Sequence, residues 1–263
     1  MPPTRTLSNW VEQLQSQGRY TFTRSEVEAR PGQSPIAAQS ALRRLRQQQR
    51  VVSPRRGFHV VVPPEYRAAG SPPASWFVDD LMRHLGQPYY VSLLSAAALH
   101  GAAHQQPLVF QVVTAMPTRA MHAGRVTIRF WMAGNAEQMP VIEAQTETGT
   151  MRLATPETTA FDLVRYPSGA GQLSNAATVL SELAERLDPK ALLGIAPLVR
   201  LPDVQRLGYL LDAVGERRRT GPLAAWLEAR GPRVVPLRRG AVRGVEVNAR
   251  WKVVPDGELE LDL

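Results

Sequence analysis

Residues 34–62 decide the fold of the amino-terminal region, and their sequence is SPIAAQSALRRLRQQQRVVSPRRGFHVVV. Ser34 followed by Pro35 is a typical helix start, because a serine side chain caps free backbone N–H groups and proline suits the first helical position. We predict that this helix runs to about Gln49. Pro54-Arg55-Arg56-Gly57 then lies between two β-branched segments, which is the pattern of a β-hairpin. A helix leading into a hairpin predicts a recognition helix followed by a wing.

The residues before Ser34 supply the other elements of such a fold. Ser8 is expected to cap a first helix that ends near Ser16. Tyr20–Thr23 is predicted to be a brief strand, and Thr23 can form a capping box with Glu26 at the start of a second helix. Helix, strand, two helices and a hairpin in this order predict a winged helix-turn-helix domain over 1–67.

The predicted third helix has two chemically different faces. Ala38, Ala41, Leu42 and Leu45 cluster on one side at about 100° per residue and are expected to face the core. The opposite side is rich in Arg and Gln, which recognise guanine and adenine edges in the major groove. No acidic residue occurs from Ser34 to Arg56, which favours DNA contact over an ordinary amphipathic helix with a solvated face. The predicted DNA-binding residues are Ser34, Gln39, Ser40, Arg43, Arg44, Gln47, Arg55 and Arg56.

The charge distribution agrees with contact to nucleic acid. Residues 1–67 hold eleven Arg and four Glu, a balance of +7, so the other 196 residues contribute only +1 to the net +8. A basic module beside a near-neutral one is typical of nucleic-acid binding, although an arginine-rich proteome also produces basic surfaces. We expect base contacts from Gln39, Ser40 and Arg43, and a phosphate contact from Arg44. The two hairpin arginines would reach phosphate or the minor groove.

The rest of the chain predicts a mixed α+β domain over 75–263, joined by a linker over 67–75 that is rich in Ala, Gly, Ser and Pro. Strands followed by helices and then by strands are typical of an α+β fold rather than of a parallel doubly wound sheet. Strands are predicted at 108–114, 125–132, 141–146, 151–154, 245–253 and 259–263. Helices are predicted at 76–85, 92–101, from Thr155 onward, and at 173–187, 189–195, 203–214 and 221–230.

The composition argues against several classes of protein. The chain has no cysteine, which excludes disulfides and thiolate metal sites and agrees with a cytoplasmic location. Its first residues lack the apolar core of a signal peptide, and no apolar run reaches the roughly 18 residues of a membrane span. No GxSxG, P-loop or GxGxxG pattern occurs, which removes common hydrolase and nucleotide signatures. We therefore expect no enzyme activity, no catalytic residues and no cofactor.

Two pairs of side chains could still suggest chemistry. His100 and His104 have the spacing of metal ligands on one helix face, but Gly101 is expected to end that helix and no acid lies near. A packed or capping histidine is the better interpretation, so no metal site is predicted. Asp79 and Asp80 are adjacent and point in different directions, and we interpret them as a helix surface with one buried or capping carboxylate.

Basic residues near the carboxyl terminus form a second predicted patch. They could pair with an acidic protein or with RNA, although a solvated helix end explains the run at 217–219 equally well. The acidic tail over 256–262 could lie against this patch. Its predicted members are Arg217, Arg218, Arg219, Arg238 and Arg239.

Several motifs, taken in order, resemble the AbiEi antitoxins of type IV toxin–antitoxin systems over nearly the whole chain. In the amino-terminal module they are Leu42-Arg43-Arg44-Leu45, Val51-Val52 and Arg56-Gly57-Phe58. In the second domain they are the alanine-rich segment 92–101, which ends in Leu-His-Gly, and the segment 154–164, ATPETTAFDLV.

The resemblance implies a protein with two tasks. The amino-terminal domain would bind inverted repeats in double-stranded operator DNA and repress its own operon. The second domain would neutralise a cognate nucleotidyltransferase toxin, directly or indirectly, in abortive infection and phage defence. The chain would act as a monomer, or as a weak dimer that cooperates on DNA.

Two other functions stay open on the sequence. A ligand-responsive winged-helix regulator without a toxin partner would need a concave, polar-lined pocket within 75–263. An enzyme of nucleic-acid metabolism would need Asp79, Asp80 or the histidines to converge, which their linear spacing does not favour.

Overall fold

A computed structural model describes residues 6–30, 34–102, 107–238 and 246–255. Over these ranges the chain has a mixed α+β structure with several sheets, as the sequence predicts. No helix in the described ranges combines the length and the apolar composition that crossing a bilayer requires. Three sequence predictions fall outside these ranges, namely the strand at 259–263, the acidic tail at 256–262 and any role of His104 or Arg239.

The amino-terminal module combines helices with a three-stranded antiparallel sheet of order β1-β3-β2. The predicted caps of its second and third helices are confirmed. Thr23 and Glu26 form a capping box, and the Ser34 hydroxyl accepts from the Ala37 N–H at 3.2 Å. The elements are α1 (Leu7–Ser16), β1 (Thr21–Thr23), α2 (Arg24–Glu28), α3 (Pro35–Gln47), β2 (Val51–Arg55) and β3 (Phe58–Val61).

One predicted cap is wrong. The first helix begins two residues earlier than expected, and Thr6 caps it by accepting from the Asn9 N–H at 3.3 Å. Ser8 therefore lies inside the helix, where its hydroxyl accepts a hydrogen bond from the Arg50 guanidinium at 2.6 Å. Both Thr6 and Ser8 can cap a helix, so the sequence alone does not choose between them.

A small core orients α3. Leu42 and Leu45 are buried with Val11 and Leu14 of α1 and with Phe22 of β1. Burial of each such side chain contributes about 1.5–3 kcal/mol, so α3 cannot rotate without losing this packing. The predicted apolar face is thereby confirmed, and the face rich in Arg and Gln is directed to solvent.

The second part of the chain is built on a six-stranded mixed sheet of order β6-β7-β5-β4-β9-β8. In it β4 is parallel to β9 and β5 is parallel to β7, whereas the other neighbours are antiparallel. The sequence missed the two shortest strands, β4 and β6, because three residues show no alternation. The elements are α4 (Val78–Leu85), β4 (Tyr89–Val91), α5 (Leu93–Leu99), β5 (Val109–Thr114), β6 (Met121–Ala123), β7 (Val126–Met132), β8 (Val141–Thr146) and β9 (Gly149–Ala154).

Helices follow the sheet and share one large core with it. The predicted start of the first of them is confirmed, since Thr155 Oγ1 accepts from the Thr158 N–H at 3.2 Å and Pro156 takes the first helical position. The final strands form a short parallel pair. The elements are α6 (Pro156–Arg165), α7 (Gln172–Leu183), α8 (Pro189–Ile195), α9 (Leu201–Ala213), α10 (Gly221–Glu228), β10 (Val235–Pro236) and β11 (Val253–Val254).

Trp251 fixes the last described segment against α9. Its ring is fully buried over Gly208, where an added Cβ would lie only 2.2 Å from the ring. Its indole N–H donates to Asp212 at 2.8 Å, and Arg250 donates to the same carboxylate at 3.0 Å. The β structure predicted over 245–253 is thus reduced, in the described residues, to β11 and one bridge from Asn248.

The two parts of the chain share apolar packing. Phe58 and Val60 of β3 are buried in the large core together with Val78 and Leu81 of α4. The Phe58 ring also lies against the His84 ring, with centroids 5.4 Å apart. One strand of the amino-terminal sheet therefore contributes side chains to two cores.

The segment predicted as a linker over 67–75 is packed in place. It lies between the 3₁₀ turns Pro64–Tyr66 and Ala74–Trp76, and Ser71 within it is buried. The Ala69 carbonyl accepts from the Arg125 N–H at 2.8 Å. Small residues permit the backbone around Ala69 to approach the backbone of Arg125 this closely. The small residues of this segment, although typical of a flexible linker, therefore allow it to pack against the second part of the chain.

Candidate nucleic-acid interface

The exposed face of α3 carries the residues predicted to contact DNA. Arg43 and Arg44 form no ion pair with any carboxylate of the described residues, so their charges face solvent. Ile36 on the same helix is 78% exposed. The Ser34 hydroxyl is already occupied as the helix cap. The other exposed residues of this face are Gln39, Ser40 and Gln47.

The hairpin places two further arginines beside α3. Arg55 is half-buried and Arg56 is exposed, at the end of β2 and in the turn. Gly57 has φ +78°, a conformation that glycine adopts without strain. Its carbonyl accepts from the Arg24 N–H at 2.8 Å, which ties the turn to the start of α2. The turn is therefore held in position rather than free.

A cleft of about 410 Å³ lies between α2, α3 and the hairpin. We call it the hairpin cleft, and its polar lining includes Arg24, Arg46, Ser53, Arg55, Arg56 and His59. The alternative of a ligand-responsive regulator placed a pocket within 75–263, whereas this cleft belongs to the amino-terminal module.

Sequence reasoning did not identify Arg24, Arg46 or His59 as members of a site. Arg46 follows Leu42 by one helical turn, and this spacing assigned its side of α3 to the core. His59 occurs within a run of apolar strand residues. The available signal was weak, namely a charged residue at the end of the apolar stripe and one titratable residue in the hairpin.

His59 is the least usual polar group in this region. It is only 6% exposed, and its Nδ1 lies 2.7 Å from the Ser53 hydroxyl. Its Nε2 is buried, and no hydrogen-bond partner for that atom occurs among the described residues. Burial, together with the smaller effects of the nearby groups Arg46, His84 and Arg24, lowers the pKa of His59 to about 4. The ring is therefore neutral at pH 7, with one N–H and one lone pair.

The basic patch predicted near the carboxyl terminus is not one cluster. Arg217 and Arg218 are exposed between α9 and α10. Arg219 is half-buried and donates to Glu216 at 2.8 Å and to the Leu187 carbonyl at 3.0 Å, just beyond the end of α7. Arg238 donates to Ser174 near the start of α7 at 3.1 Å. Since α7 has 12 residues and is about 18 Å long, the described members lie near its opposite ends.

The histidine and the aspartates considered for chemistry have structural partners. His100 is buried with its Nε2 2.8 Å from the Ala154 carbonyl, as expected for a packed histidine, and burial lowers its pKa. Asp79 accepts from the Tyr89 hydroxyl at 2.8 Å and forms an ion pair with Arg83. Asp80 accepts from the Thr21 hydroxyl of β1. Within the described ranges no three potential metal ligands come together.

Comparisons with known proteins concern both the fold and the family. The crystal structure of the RV2827C protein from Mycobacterium tuberculosis is similar, with a TM-score of 0.66 over 97% of this chain and 94% of that one. At 20% identity this likeness concerns the fold alone. No curated protein sequence matches the chain.

The family comparison covers the sheet and the helices that follow it. Residues 90–213, from β4 to the end of α9, match the family described as AbiEi antitoxin C-terminal domain. Antitoxins of this family are regulatory proteins rather than enzymes. The segments 92–101 and 154–164 both lie inside the match. Residues 90–213 of this chain are therefore similar to the C-terminal domain of the AbiEi antitoxins.

Proposed function

We propose that this chain is a DNA-binding antitoxin that represses its own operon. Residues 1–67 act as a winged helix-turn-helix domain that binds inverted repeats in double-stranded operator DNA. Residues 75–263 act as the antitoxin domain and neutralise a cognate nucleotidyltransferase toxin of a type IV system in phage defence. The match over 90–213 supports the antitoxin part.

One observation carries the DNA-binding part. The face formed by α3 and the hairpin presents several arginines, and the sequence from Ser34 to Arg56 contains no acid to neutralise them. An exposed helix of this kind fits the major groove of B-DNA, which is about 12 Å wide. Each phosphate contact releases counterions, so binding is expected to weaken steeply as salt is added.

The roles on α3 follow from position and chemistry. Gln39, Ser40 and Arg43 lie in the first two and a half turns of the helix, the part that approaches base edges in this class of domain. Arg44 is exposed beside them and contacts phosphate. Gln47 lies at the last position of α3, where it contacts the backbone or the groove edge.

The proposed surface toward the toxin is the pair Arg217 and Arg218. Both are exposed, and neither is used in an ion pair among the described residues. Arg219 supports the fold around Leu187 instead, and Arg238 belongs to a separate part of the surface. The toxin-facing pair lies outside the α3 surface, so the two activities can be separated by mutation.

The test is co-expression of the full chain with the adjacent downstream gene, with growth and a reporter on the chain's own promoter as two readouts. The double variant Arg43→Ala/Arg44→Ala should lose repression and still rescue growth. The double variant Arg217→Ala/Arg218→Ala removes the same number of exposed charges, and it should keep repression and lose rescue.

Each readout can refute its own part of the proposal. If the downstream gene is not toxic, the antitoxin part of the proposal is wrong. The repression part is then judged separately, by whether the chain lowers expression of the reporter. If the Arg43→Ala/Arg44→Ala variant represses as well as the unmodified chain, the α3 surface is not the operator-binding surface.

A further inference from the structure

The hairpin cleft has the size of a site for a small ligand or a single group of a larger one. Its volume of about 410 Å³ lies within the usual range of about 300–1,000 Å³ for ligand sites. Three elements enclose it: α2 contributes Arg24, α3 contributes Arg46, and the hairpin contributes Arg55 and Arg56. The bond from the Arg24 N–H to the Gly57 carbonyl joins α2 to the hairpin.

The charge of the cleft is strongly positive. Four of its lining residues are arginines and one, Glu28, is acidic. Glu28 is already paired with Arg24 at 2.6 Å. Arg46 is exposed, and no carboxylate of the described residues pairs with it. Positive charge that the protein itself leaves uncompensated favours an anion in the cleft.

His59 supplies the second, independent observation. A buried polar atom without a partner costs about 1–3 kcal/mol; the Nε2 of His59 is such an atom, and His59 is one of the residues that line the cleft. The Ser53 hydroxyl can donate to Nδ1, and in that tautomer Nε2 carries a hydrogen and can donate to an anion. The cleft thus combines charge with an unused directional donor.

We propose that the hairpin cleft binds a phosphate group, held by Arg46 and by the Nε2 hydrogen of His59. The phosphate belongs either to a DNA strand that passes between α3 and the hairpin or to a free phosphorylated small molecule. Gln39 lines the cleft and also lies on the exposed face of α3, so the site is continuous with the proposed DNA surface. The first source rests on the proposed DNA binding, and the second does not.

The test uses the full chain with pyrophosphate as the probe, followed by calorimetry and by the ¹⁵N shifts of the histidine rings. Saturable binding with a shift of the His59 nitrogens is expected. Arg46→Gln should weaken binding about tenfold, and His59→Phe should weaken it more than His59→Gln, which keeps an N–H donor. Arg129→Gln removes an exposed charge of β7, far along the chain from the cleft, and should leave binding unchanged. Thermal unfolding of each variant checks that it is folded.

Sulfate extends the test to pH, because sulfate does not titrate between pH 4.5 and 7.5. A bound anion offsets the repulsion from Arg46 and Arg24 and so raises the pKa of His59. Sulfate should then bind more tightly as pH falls. His84 faces His59 from α4, and Glu28 faces the cleft from α2. His84→Gln should keep the pH dependence, and His59→Gln should remove it.

A DNA duplex from the chain's own promoter separates the two sources. The phosphate belongs to DNA if pyrophosphate and duplex compete for the chain. In that case Arg46→Gln should also reduce by about 1 the slope of the logarithm of the DNA-binding constant against the logarithm of the salt concentration. Simultaneous binding of duplex and pyrophosphate assigns it to a free molecule. Pyrophosphate binding that Arg46→Gln and His59→Phe leave unchanged overturns the site, even where the duplex binds. If neither ligand binds, both this site and the proposed DNA binding are wrong.

Discussion

At the scale of single residues, Arg43 is the side chain of α3 whose chemistry is most specific. It is exposed, unpaired among the described residues, and lies between Gln39 and Gln47 on the same side of the helix. An arginine in bidentate contact with guanine contributes about 1–3 kcal/mol to discrimination at one base pair. Arg43→Ala should therefore lose that preference, measured by fluorescence anisotropy on operator duplexes changed one base pair at a time.

Arg44→Ala is the matched control for this prediction. Arg44 is the next residue and is equally exposed, but it is expected to contact phosphate. Its loss should weaken binding to every duplex alike. It should also reduce by about 1 the slope of the logarithm of the binding constant against the logarithm of the salt concentration. A uniform loss with Arg43→Ala as well would make Arg43 a backbone contact instead.

Asp162 provides a prediction about stability and pH. It is fully buried in α6, where it accepts from the Ser92 hydroxyl at 2.8 Å, and burial raises its pKa to about 6. Because the folded chain holds this proton more tightly than the unfolded chain, the stabilisation is complete below about pH 4 and is lost by about pH 6. The loss is roughly 3 kcal/mol for a shift of this size.

Urea unfolding of the wild type and of Asp162→Asn at pH 4, 5, 6 and 7 measures this effect. The wild type should lose stability relative to the variant across that range, because the amide cannot ionise. A constant difference between the two proteins at all four pH values would show that Asp162 is not protonated in the fold.

Residues whose role is local were predictable except for the cap of α1, where Thr6 takes the place of Ser8, and residues whose role depends on distant partners were not. The Ser34 and Thr155 caps follow from their immediate neighbours, so the sequence was sufficient. The roles of Arg46 and His59 depend on the hairpin folding back over α3. Helical spacing alone places Arg46 on the core side, so this signal was misleading.

At the scale of elements, the contact of α9 with Trp251 sets a strict size limit. A Cβ at Gly208 would lie 2.2 Å from the buried ring, closer than any real contact. Gly208→Ala must displace either the ring or the helix, and overpacking of this kind costs about 1–3 kcal/mol or more. The expected result is a lower free energy of unfolding together with a change in the tryptophan fluorescence.

Gly194→Ala in α8 is the matched control for this element. Nothing lies within 4 Å of a Cβ at Gly194, and alanine is favoured over glycine inside a helix by about 0.5–1 kcal/mol. This variant should be unchanged or slightly more stable. If both variants behave alike, the packing of Trp251 on Gly208 does not stabilise the fold.

Most long elements of the second part were predicted, and the short ones were not. Strands β5, β7, β8 and β9 and helices α6 to α10 carry enough residues to show their period. The three-residue strands β4 and β6 are defined by their neighbours in the sheet, β5 and β7. Pairing across the sheet is information that a short stretch of sequence does not contain.

At the scale of the whole molecule, the shared burial of β3 predicts joint unfolding. Phe58 lies in the large core although it belongs to the amino-terminal sheet. Calorimetry of the full chain should therefore show one cooperative transition rather than two. Phe58→Ala should cost about 3–5 kcal/mol and should uncouple the two parts into separate transitions.

Val61→Ala serves as the control, because Val61 is also buried in β3 but belongs to the small core of the amino-terminal module. It should destabilise the chain without separating the parts. Two well-resolved transitions in the unmodified chain would mean that the two parts unfold independently, despite the packing of Phe58 on α4.

The sequence predicted the order of the two parts but not their connection. The small and flexible residues of 67–75 are typical of a linker, and Phe58 and Leu81, which share the large core, both look like ordinary core residues in the sequence. Apolar patterning identifies which side chains are buried, but it does not identify which core each one enters.

Because β3 is packed between two cores, the amino-terminal module proposed to bind DNA cannot move independently of the rest of the chain. The chain therefore approaches DNA as a single rigid body. Two copies on an inverted repeat are then related by the twofold axis of the site, and each antitoxin domain is held at a set angle around the duplex. Binding of two copies should then depend on the distance between the half-sites. About five extra base pairs place the second copy on the opposite side of the duplex, and about ten return it to the original side. Apolar packing between the two parts of the protein thereby restricts the distance between half-sites at which two copies can bind the promoter.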